Sequence, residues 1–184
     1  FYIILVFIFS LSLGLISCNK DDDLNNDSEI VEDDTDFEAT YWTDATHSKN
    51  VDPNYDEVFE DEAVKRIDIV ITETRWQSML DEMTNTYGTF GSGSRGPGGG
   101  LIETDEDPTF VPAEVYYDGI QWYRVGVRFK GNSSLQTTWQ SGNFKLSFKL
   151  DFDEFEDDYP QIDNQRFYGF KKLHLKNNYD DKSM

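Results

Sequence analysis

Two segments in which apolar and polar residues alternate, 123–130 and 144–152, constrain the fold more than any other part of the sequence. An alternation with a period of two predicts β-strands that bury one face and expose the other. A polar stretch, 131–143, is predicted to form the loop that joins them. The positions predicted to face the core are Val125, Val127 and Phe129 in the first segment and Phe144, Leu146, Phe148, Leu150 and Phe152 in the second.

The outward positions of these two strands carry four cations, although the formal net charge of the chain is −20. Between the strands lies a tight polar turn, Gly131–Ser134, that is rich in hydrogen-bonding groups. Cations beside such groups favour the binding of an anion, phosphate above all. The alternative is a solvated sheet face whose lysines prevent edge-to-edge pairing. The candidate phosphate ligands are Arg128, Lys130, Asn132, Ser133, Ser134, Lys145 and Lys149.

The first 17 residues are almost entirely apolar, and the only cysteine of the chain, Cys18, follows them directly. Such a short apolar segment before a small residue predicts a secretory signal peptide, 1–17. The residues Leu15-Ile16-Ser17-Cys18 resemble a bacterial lipobox, which predicts a covalent lipid on Cys18, since that thiol has no disulfide partner. The acidic run after it resembles an export signal of outer-membrane surface lipoproteins. We therefore expect a lipid anchor in the outer membrane; an ordinary signal peptide is the alternative.

Residues 18–63 are predicted to be an acidic, disordered linker. Residues 19–63 contain 17 of the 36 acidic side chains but only two lysines. Segments of like charge with few apolar side chains cannot bury enough surface to fold. The same acidity argues against nucleic acid as a partner. The aromatic residues of the linker that are candidates for docking on the folded part are Tyr41, Trp42, Tyr55 and Phe59.

The remaining residues, 64–184, are predicted to form one α+β domain that is rich in antiparallel sheet. The dipeptide Asp118-Gly119 between two β-rich segments predicts a hairpin. Besides the two alternating segments, the predicted elements are strands at Ile67–Ile71, Phe110–Tyr117 and Lys171–Lys176, and a helix at Thr74–Met83 that follows an N-cap at Thr72.

Three patterns are assigned no ligand. The glycine-rich stretch 88–100 contains GxGxxG, but it follows a helix and leads into more glycines, so a low-complexity insertion is favoured. The acidic stretch 151–163 lacks the spacing of a calcium-binding loop. His47 and His174 have no cysteine or carboxylate partners at ligand spacing, so we expect surface residues and no metal site.

Four blocks of this sequence resemble the CotH (spore-coat protein H) kinase family, in the family's order and at about its spacing. These blocks are Pro112–Val115, Gly126–Ser134, Phe144–Phe152, and Arg166–Leu175 followed by Asn178-Tyr179-Asp180-Asp181. The resemblance covers residues 65–184 and implies the N-terminal portion of a divergent protein-kinase-like fold. The glycine-rich stretch and an acidic stretch around 153–164 are insertions relative to the family.

The resemblance implies an atypical kinase that uses ATP, with Mg²⁺ or Mn²⁺, to phosphorylate serine or threonine of secreted or surface proteins. The carboxylates that hold metal and act on the hydroxyl in kinases lie further along the family's sequence than Met184. No catalytic residue is therefore assigned, and the 184-residue chain alone is expected to be inactive.

A surface adhesin or another binding module, without catalysis, is the alternative function. Such a module would use exposed aromatic side chains to bind glycans or proteins. The candidates are Trp122, Tyr123 and Trp139. Stacking aromatics suit a glycan, but a glycan site gives no reason for four cations on two facing strands. A structural lipoprotein without a ligand is a third possibility.

Overall fold

The computed structural model describes residues 36–93, 100–104 and 106–178. Five strands form one antiparallel sheet, in which each strand pairs with the next along the chain. The strands are β1 (Ile67–Val70), β2 (Val111–Tyr117), β3 (Ile120–Lys130), β4 (Ser147–Asp151) and β5 (Lys172–Leu175). The helices are α1 (Asp44–His47), α2 (Tyr55–Val58), α3 (Glu73–Tyr87) and α4 (Ser133–Gln140), with a 3₁₀ turn at Pro160–Ile162. The predicted α+β class is confirmed.

The predicted hairpin at Asp118-Gly119 joins β2 to β3. Both turn residues have left-handed backbone conformations, with φ of 48° at Asp118 and 77° at Gly119. Two residues of positive φ are what a type I′ turn requires, and this turn follows the right-handed twist of the strands. The pairing continues to the far end of β2, where Val111 lies opposite Val127. The register shifts by one residue between Ala113 and Val115, so the turn fixes the pairing of β3 only as far as Trp122.

Apolar side chains of the sheet and the helices form two main core clusters. In the first cluster, Val125, Val127 and Leu150 are completely buried, as their alternation predicts. The second cluster surrounds Phe129 at the end of β3, where α3 and α4 pack against the sheet. Its other buried members are Met79, Met83, Tyr87, Leu135, Trp139 and Leu146. The core thus joins the sheet to both of the longer helices.

Helix α3 begins where the capping signal predicts. The hydroxyl of Thr72 accepts a hydrogen bond of 3.4 Å from the amide of Arg75, which satisfies one of the amides left free at a helix start. The helix continues to Tyr87, beyond the predicted end at Met83. Gly88 then ends it with a φ of 84°, a conformation that glycine adopts without strain.

The polar stretch between the two alternating segments contains helix α4, so the prediction of a loop is wrong. Leu135 and Trp139 are four residues apart and each is 1% exposed, so they form the core-facing stripe of this helix. Eight residues are only about two helical turns, which is too short for a clear periodic pattern. The following strand begins at Ser147 and not at Phe144 as predicted.

Residues 36–59, here called the docked segment, lie against the folded domain, although their composition predicts a linker. The amide of Arg166 donates to the carbonyl oxygen of His47 at 2.7 Å, and the amide of Tyr168 donates to that of Thr46 at 2.8 Å. The amide of Asn54 donates in turn to the carbonyl oxygen of Tyr168 at 2.9 Å. These specific contacts outweigh the unfavourable charge of the segment.

His47 is completely buried in the docked segment, so the prediction of a surface residue is wrong. Its ring stacks between those of Trp42 and Trp122, with centroid distances of 5.0 and 4.8 Å. Nε2 lies 2.9 Å from the carbonyl oxygen of Gln121 and therefore carries the proton, while Nδ1 accepts from the hydroxyl of Thr46 at 2.6 Å. Burial, opposed by the hydrogen bond to Gln121, lowers the pKa of His47 to about 4.

Candidate functional site

The register of the sheet brings basic side chains into a row across three strands. Arg128 of β3 lies opposite Lys149 of β4, and Lys149 lies opposite His174 of β5. Facing residues share one face of a sheet, and so does every second residue along a strand. Lys130 therefore lies on the same face, and Lys176 follows His174 by two residues. We call these five residues the basic face.

The pKa of His174 reflects how closely these cations are gathered. Burial lowers this pKa, and the positive charges of Lys130, Lys149, Arg128 and Lys176 lower it further. The side chain of His174 is nevertheless exposed, as predicted. The imidazole is therefore neutral at pH 7, because its protonation would add another charge beside four cations. Such a local concentration of positive charge in an acidic chain favours an anionic ligand.

Arg128 is the most buried member of the basic face, with 5% of its surface exposed, although the alternation predicts a solvated side chain. Its guanidinium donates to Oδ2 of Asp107 at 2.5 Å and to the carbonyl oxygen of Phe129 at 3.3 Å. The ring centroid of Phe110 lies 5.2 Å from the guanidinium carbon and 5.3 Å from Nζ of Lys149. Both distances are within the range of cation–π interactions.

The predicted polar turn leads from β3 directly into α4. Gly131 has a φ of 119°, and Oγ of Ser134 lies 2.7 Å from where a Cβ of residue 131 would stand, so only glycine fits. Asn132 occupies the N-cap position without a side-chain capping bond, and Ser133 begins the helix. Amides in the first turn of a helix have no helical partner and carry partial positive charge. These donors follow Lys130 closely along the chain.

Lys145 does not belong to the row of cations. It precedes β4 and its side chain is exposed, so its predicted place on the same strand as Lys149 is wrong. Its amide donates to Oδ1 of Asn143 at 2.8 Å, and its carbonyl oxygen accepts from Nδ2 of Asn177 at 2.5 Å. The sequence suggested a common strand because Phe144 and Leu146 continue the alternation.

Carboxylates neutralise the two lysines at the start of β5. Nζ of Lys172 lies 2.6 Å from Oδ2 of Asp151. Asp153 pairs with Nζ of Lys171 at 3.0 Å and with Nη1 of Arg166 at 2.6 Å. Burial opposes the ionisation of Asp153, but the hydrogen bonds from Lys171 and Arg166 outweigh it and lower the pKa of this carboxyl. These lysines therefore already have anionic partners within the domain.

The aromatic side chains proposed for a glycan-binding surface are buried. Trp122 is 0% exposed, Trp139 1% and Tyr123 4%, so the prediction of exposed rings is wrong. The indole N–H of Trp122 donates to the carbonyl oxygen of Arg166 at 2.8 Å, and that of Trp139 donates to Gly88 at 2.7 Å. Aromatic residues with satisfied polar groups are typical of a core. The binding-module alternative loses the residues on which it depended.

The described ranges contain neither a metal-ligand cluster nor a helix that could span a membrane. Across 36–93, 100–104 and 106–178, no three His, Cys, Asp or Glu side chains lie close enough together to hold a metal ion. The helices within these ranges are all too short or too polar to cross a bilayer. Cys18 and the predicted signal peptide lie outside the described residues.

The family model described as CotH kinase protein matches residues 127–184. No curated protein and no solved structure matches the chain. The matched residues contain α4, β4, β5 and the whole basic face, whereas the block Pro112–Val115 lies before them. The resemblance is thus confirmed over a shorter stretch than the predicted 65–184. Residues 127–184 of this chain are therefore similar to the CotH kinase protein family.

Proposed function

We propose that this chain is a kinase-like protein whose basic face binds the phosphates of ATP. The row of Arg128, Lys149 and His174 carries this proposal, because it crosses three strands inside the family segment. A structural role alone does not explain why Arg128 and Lys149 stand opposite each other, since like charges in that arrangement destabilise a sheet. An anion bound across the row would remove this repulsion.

The groups of the basic face offer different contacts to a polyphosphate. Arg128 presents a planar guanidinium, which can donate two parallel hydrogen bonds to one phosphate. Lys130 and Lys149 supply compact positive charges. The free amides at the start of α4, beside Asn132, Ser133 and Ser134, add neutral donors of the kind that bind phosphate at helix N-termini. Together these groups would bind the phosphates and orient them.

Kinase families use ATP with a divalent metal, and bound Mg²⁺ or Mn²⁺ supplies charge neutralisation at the phosphates. Within the described parts of the chain, no cluster of three ligating side chains fits such an ion. The basic face does fit polyphosphate, because Lys130 and Lys149 are half-buried and a low dielectric strengthens their attraction for an anion. We therefore assign these residues to phosphate binding and assign no metal ligand among them.

Replacing Lys149 by alanine is expected to weaken ATP binding about 10- to 150-fold, because a charge-assisted hydrogen bond contributes about 1.5–3 kcal/mol. Isothermal titration calorimetry of the chain with ATP measures this change. Arg128→Gln should weaken binding to a similar extent.

Lys145→Ala is the matched control, because it removes the same charge from an exposed position before β4. Circular dichroism must show that each variant is folded, since long basic side chains also pack along a sheet. If Arg128→Gln and Lys149→Ala both bind ATP as the wild type does, the phosphates bind elsewhere and the proposal is wrong.

We further propose that the whole protein transfers phosphate to serine or threonine of secreted or surface proteins while anchored in the outer membrane. The family match supports the kinase part of this proposal. The apolar segment 1–17 and the lipobox-like Leu15-Ile16-Ser17-Cys18 support the anchor.

Cys18→Ala is expected to abolish lipidation and release the protein from membrane fractions, because Cys18 is the only thiol in the chain. Labelled palmitate and cell fractionation measure the two effects. Ser17→Ala is the control, since it keeps both the cysteine and a small residue before it. A Cys18→Ala variant that still incorporates palmitate would contradict the proposed anchor.

A further inference from the structure

We propose that Asp107 competes with ATP for Arg128, so that its carboxylate must leave before a phosphate can bind there. This inference rests on the proposed phosphate site. Oδ2 of Asp107 lies 2.5 Å from Nη2 of Arg128, where it accepts the hydrogen bond that a phosphate oxygen would accept. A carboxylate and a phosphate at the same guanidinium nitrogen would repel each other. The two anions therefore exclude one another.

Asp107 belongs to an acidic strap, residues 106–110, that is held across the basic face by its own contacts. The amide of Thr109 donates to both carboxylate oxygens of Glu82 in α3, at 2.9 and 3.0 Å, and its hydroxyl donates to Oε1 at 2.6 Å. The ring of Phe110 lies over Arg128 and Lys149. These contacts do not involve the carboxylate of Asp107, so its side chain can turn away from Arg128 while the strap stays in place.

The two partners of this ion pair differ greatly in exposure. The side chain of Asp107 is 77% exposed, whereas that of Arg128 is 6% exposed. Asp107 regains its hydration when it turns into solvent, but a buried guanidinium without an anion is strongly unfavourable. Replacing the carboxylate beside Arg128 by a phosphate therefore costs less free energy than removing the carboxylate and leaving Arg128 without an anion. A phosphate brings more charge and more acceptor oxygens than a carboxylate.

The competition tunes the affinity for ATP and does not prevent binding. When only a fraction of the molecules has Arg128 accessible, the apparent affinity falls in proportion to that fraction. An ion pair with one well-exposed partner reduces this fraction only about two- to fivefold. Asp107 and Phe110 precede the family segment 127–184, so this restraint comes from residues before that segment.

Asp107→Asn is expected to tighten ATP binding about two- to fivefold in calorimetry of the full chain, because the neutral amide still accepts a hydrogen bond from Arg128 but attracts it less. The matched control is Glu106→Gln, which removes one negative charge from the neighbouring exposed residue. Asp107→Ala is the second variant, and its affinity for ATP should also exceed that of Glu106→Gln.

The gain in affinity for ATP should disappear when Asp107→Asn is combined with Arg128→Gln, since the guanidinium for which Asp107 competes is then absent. If Asp107→Asn and Asp107→Ala bind ATP no more tightly than Glu106→Gln while Lys149→Ala binds more weakly, the phosphate site stands and the competition is refuted. If Lys149→Ala and Arg128→Gln also bind ATP as the wild type does, the phosphate site itself is refuted, and the competition with it.

Discussion

Gly169→Ala is expected to lower the free energy of unfolding by about 3–5 kcal/mol, the combined effect of backbone strain and overpacking. Gly169 has a φ of 85°, which an alanine adopts only with strain. A Cβ there would also lie 2.7 Å from the carbonyl oxygen of Asp52 and 2.8 Å from Cα of Pro53. Both contacts are with backbone atoms, so the docked segment would have to move. Urea unfolding followed by circular dichroism measures the loss.

Gly119→Ala is the matched control for this prediction. Gly119 has a similar φ of 77°, but no atom lies within 4 Å of the position of its Cβ. This variant should therefore lose only the conformational part, about 1 kcal/mol. Limited proteolysis of residues 36–59 should increase in Gly169→Ala and not in Gly119→Ala. Equal losses of stability in the two variants would mean that the contact with residues 52–53 is unimportant.

The stability of the domain is expected to fall by about 3 kcal/mol between pH 6.5 and pH 4, because of His47 alone. The pKa of His47 is lowered from 6.5 to about 4 in the folded protein, so in this range the unfolded chain binds a proton that the folded protein excludes. The stabilisation is complete above pH 6.5 and is lost as the pH falls towards 4. Urea unfolding at a series of pH values measures the slope.

The ring of His47 faces Trp42, Trp122, the hydroxyl of Thr46 and the carbonyl group of Gln121. None of these partners titrates in this range, so the slope can be assigned with a variant. In His47→Gln the part of the slope due to His47 should vanish, whereas carboxylates still contribute below pH 5. His174→Gln, at the only other histidine, should keep most of it. The same slope in His47→Gln and wild type would refute the assignment.

The elements that depend on local pattern were predictable from the sequence. The alternation around Val125 and Val127 and the dipeptide Asp118-Gly119 act over a few residues, and both predicted the observed hairpin. Helix α4 was missed because its two buried apolar residues, Leu135 and Trp139, span only one helical turn. The docking of residues 36–59 was predicted only for a few aromatic side chains, such as Tyr55 and Phe59. Its backbone contacts were missed because they depend on partners such as Arg166, more than a hundred positions away.

The candidate site was predictable in part for the same reason. Arg128, Lys130 and Lys149 were found because the alternation of a strand places them on one face. The register that aligns His174 with them depends on the pairing of β4 with β5, which no local pattern reveals. The cover of Arg128 by Asp107 depends on the path of the segment that precedes β2. The parts of the site that were not predicted are therefore those that depend on contacts between residues far apart in the sequence.

The pairing of His47 with Arg166 has a consequence for the order in which the domain can assemble. Each strand of the sheet can pair as soon as the next has been synthesised, but the docked segment must wait for residues 166–168. At a synthesis rate of about 5–20 residues per second, this wait is about 6–24 s. During it, the hydrogen bonds from the amides of Arg166 and Tyr168 to the segment cannot form. The docked segment is thus among the last parts of the domain to reach its final environment.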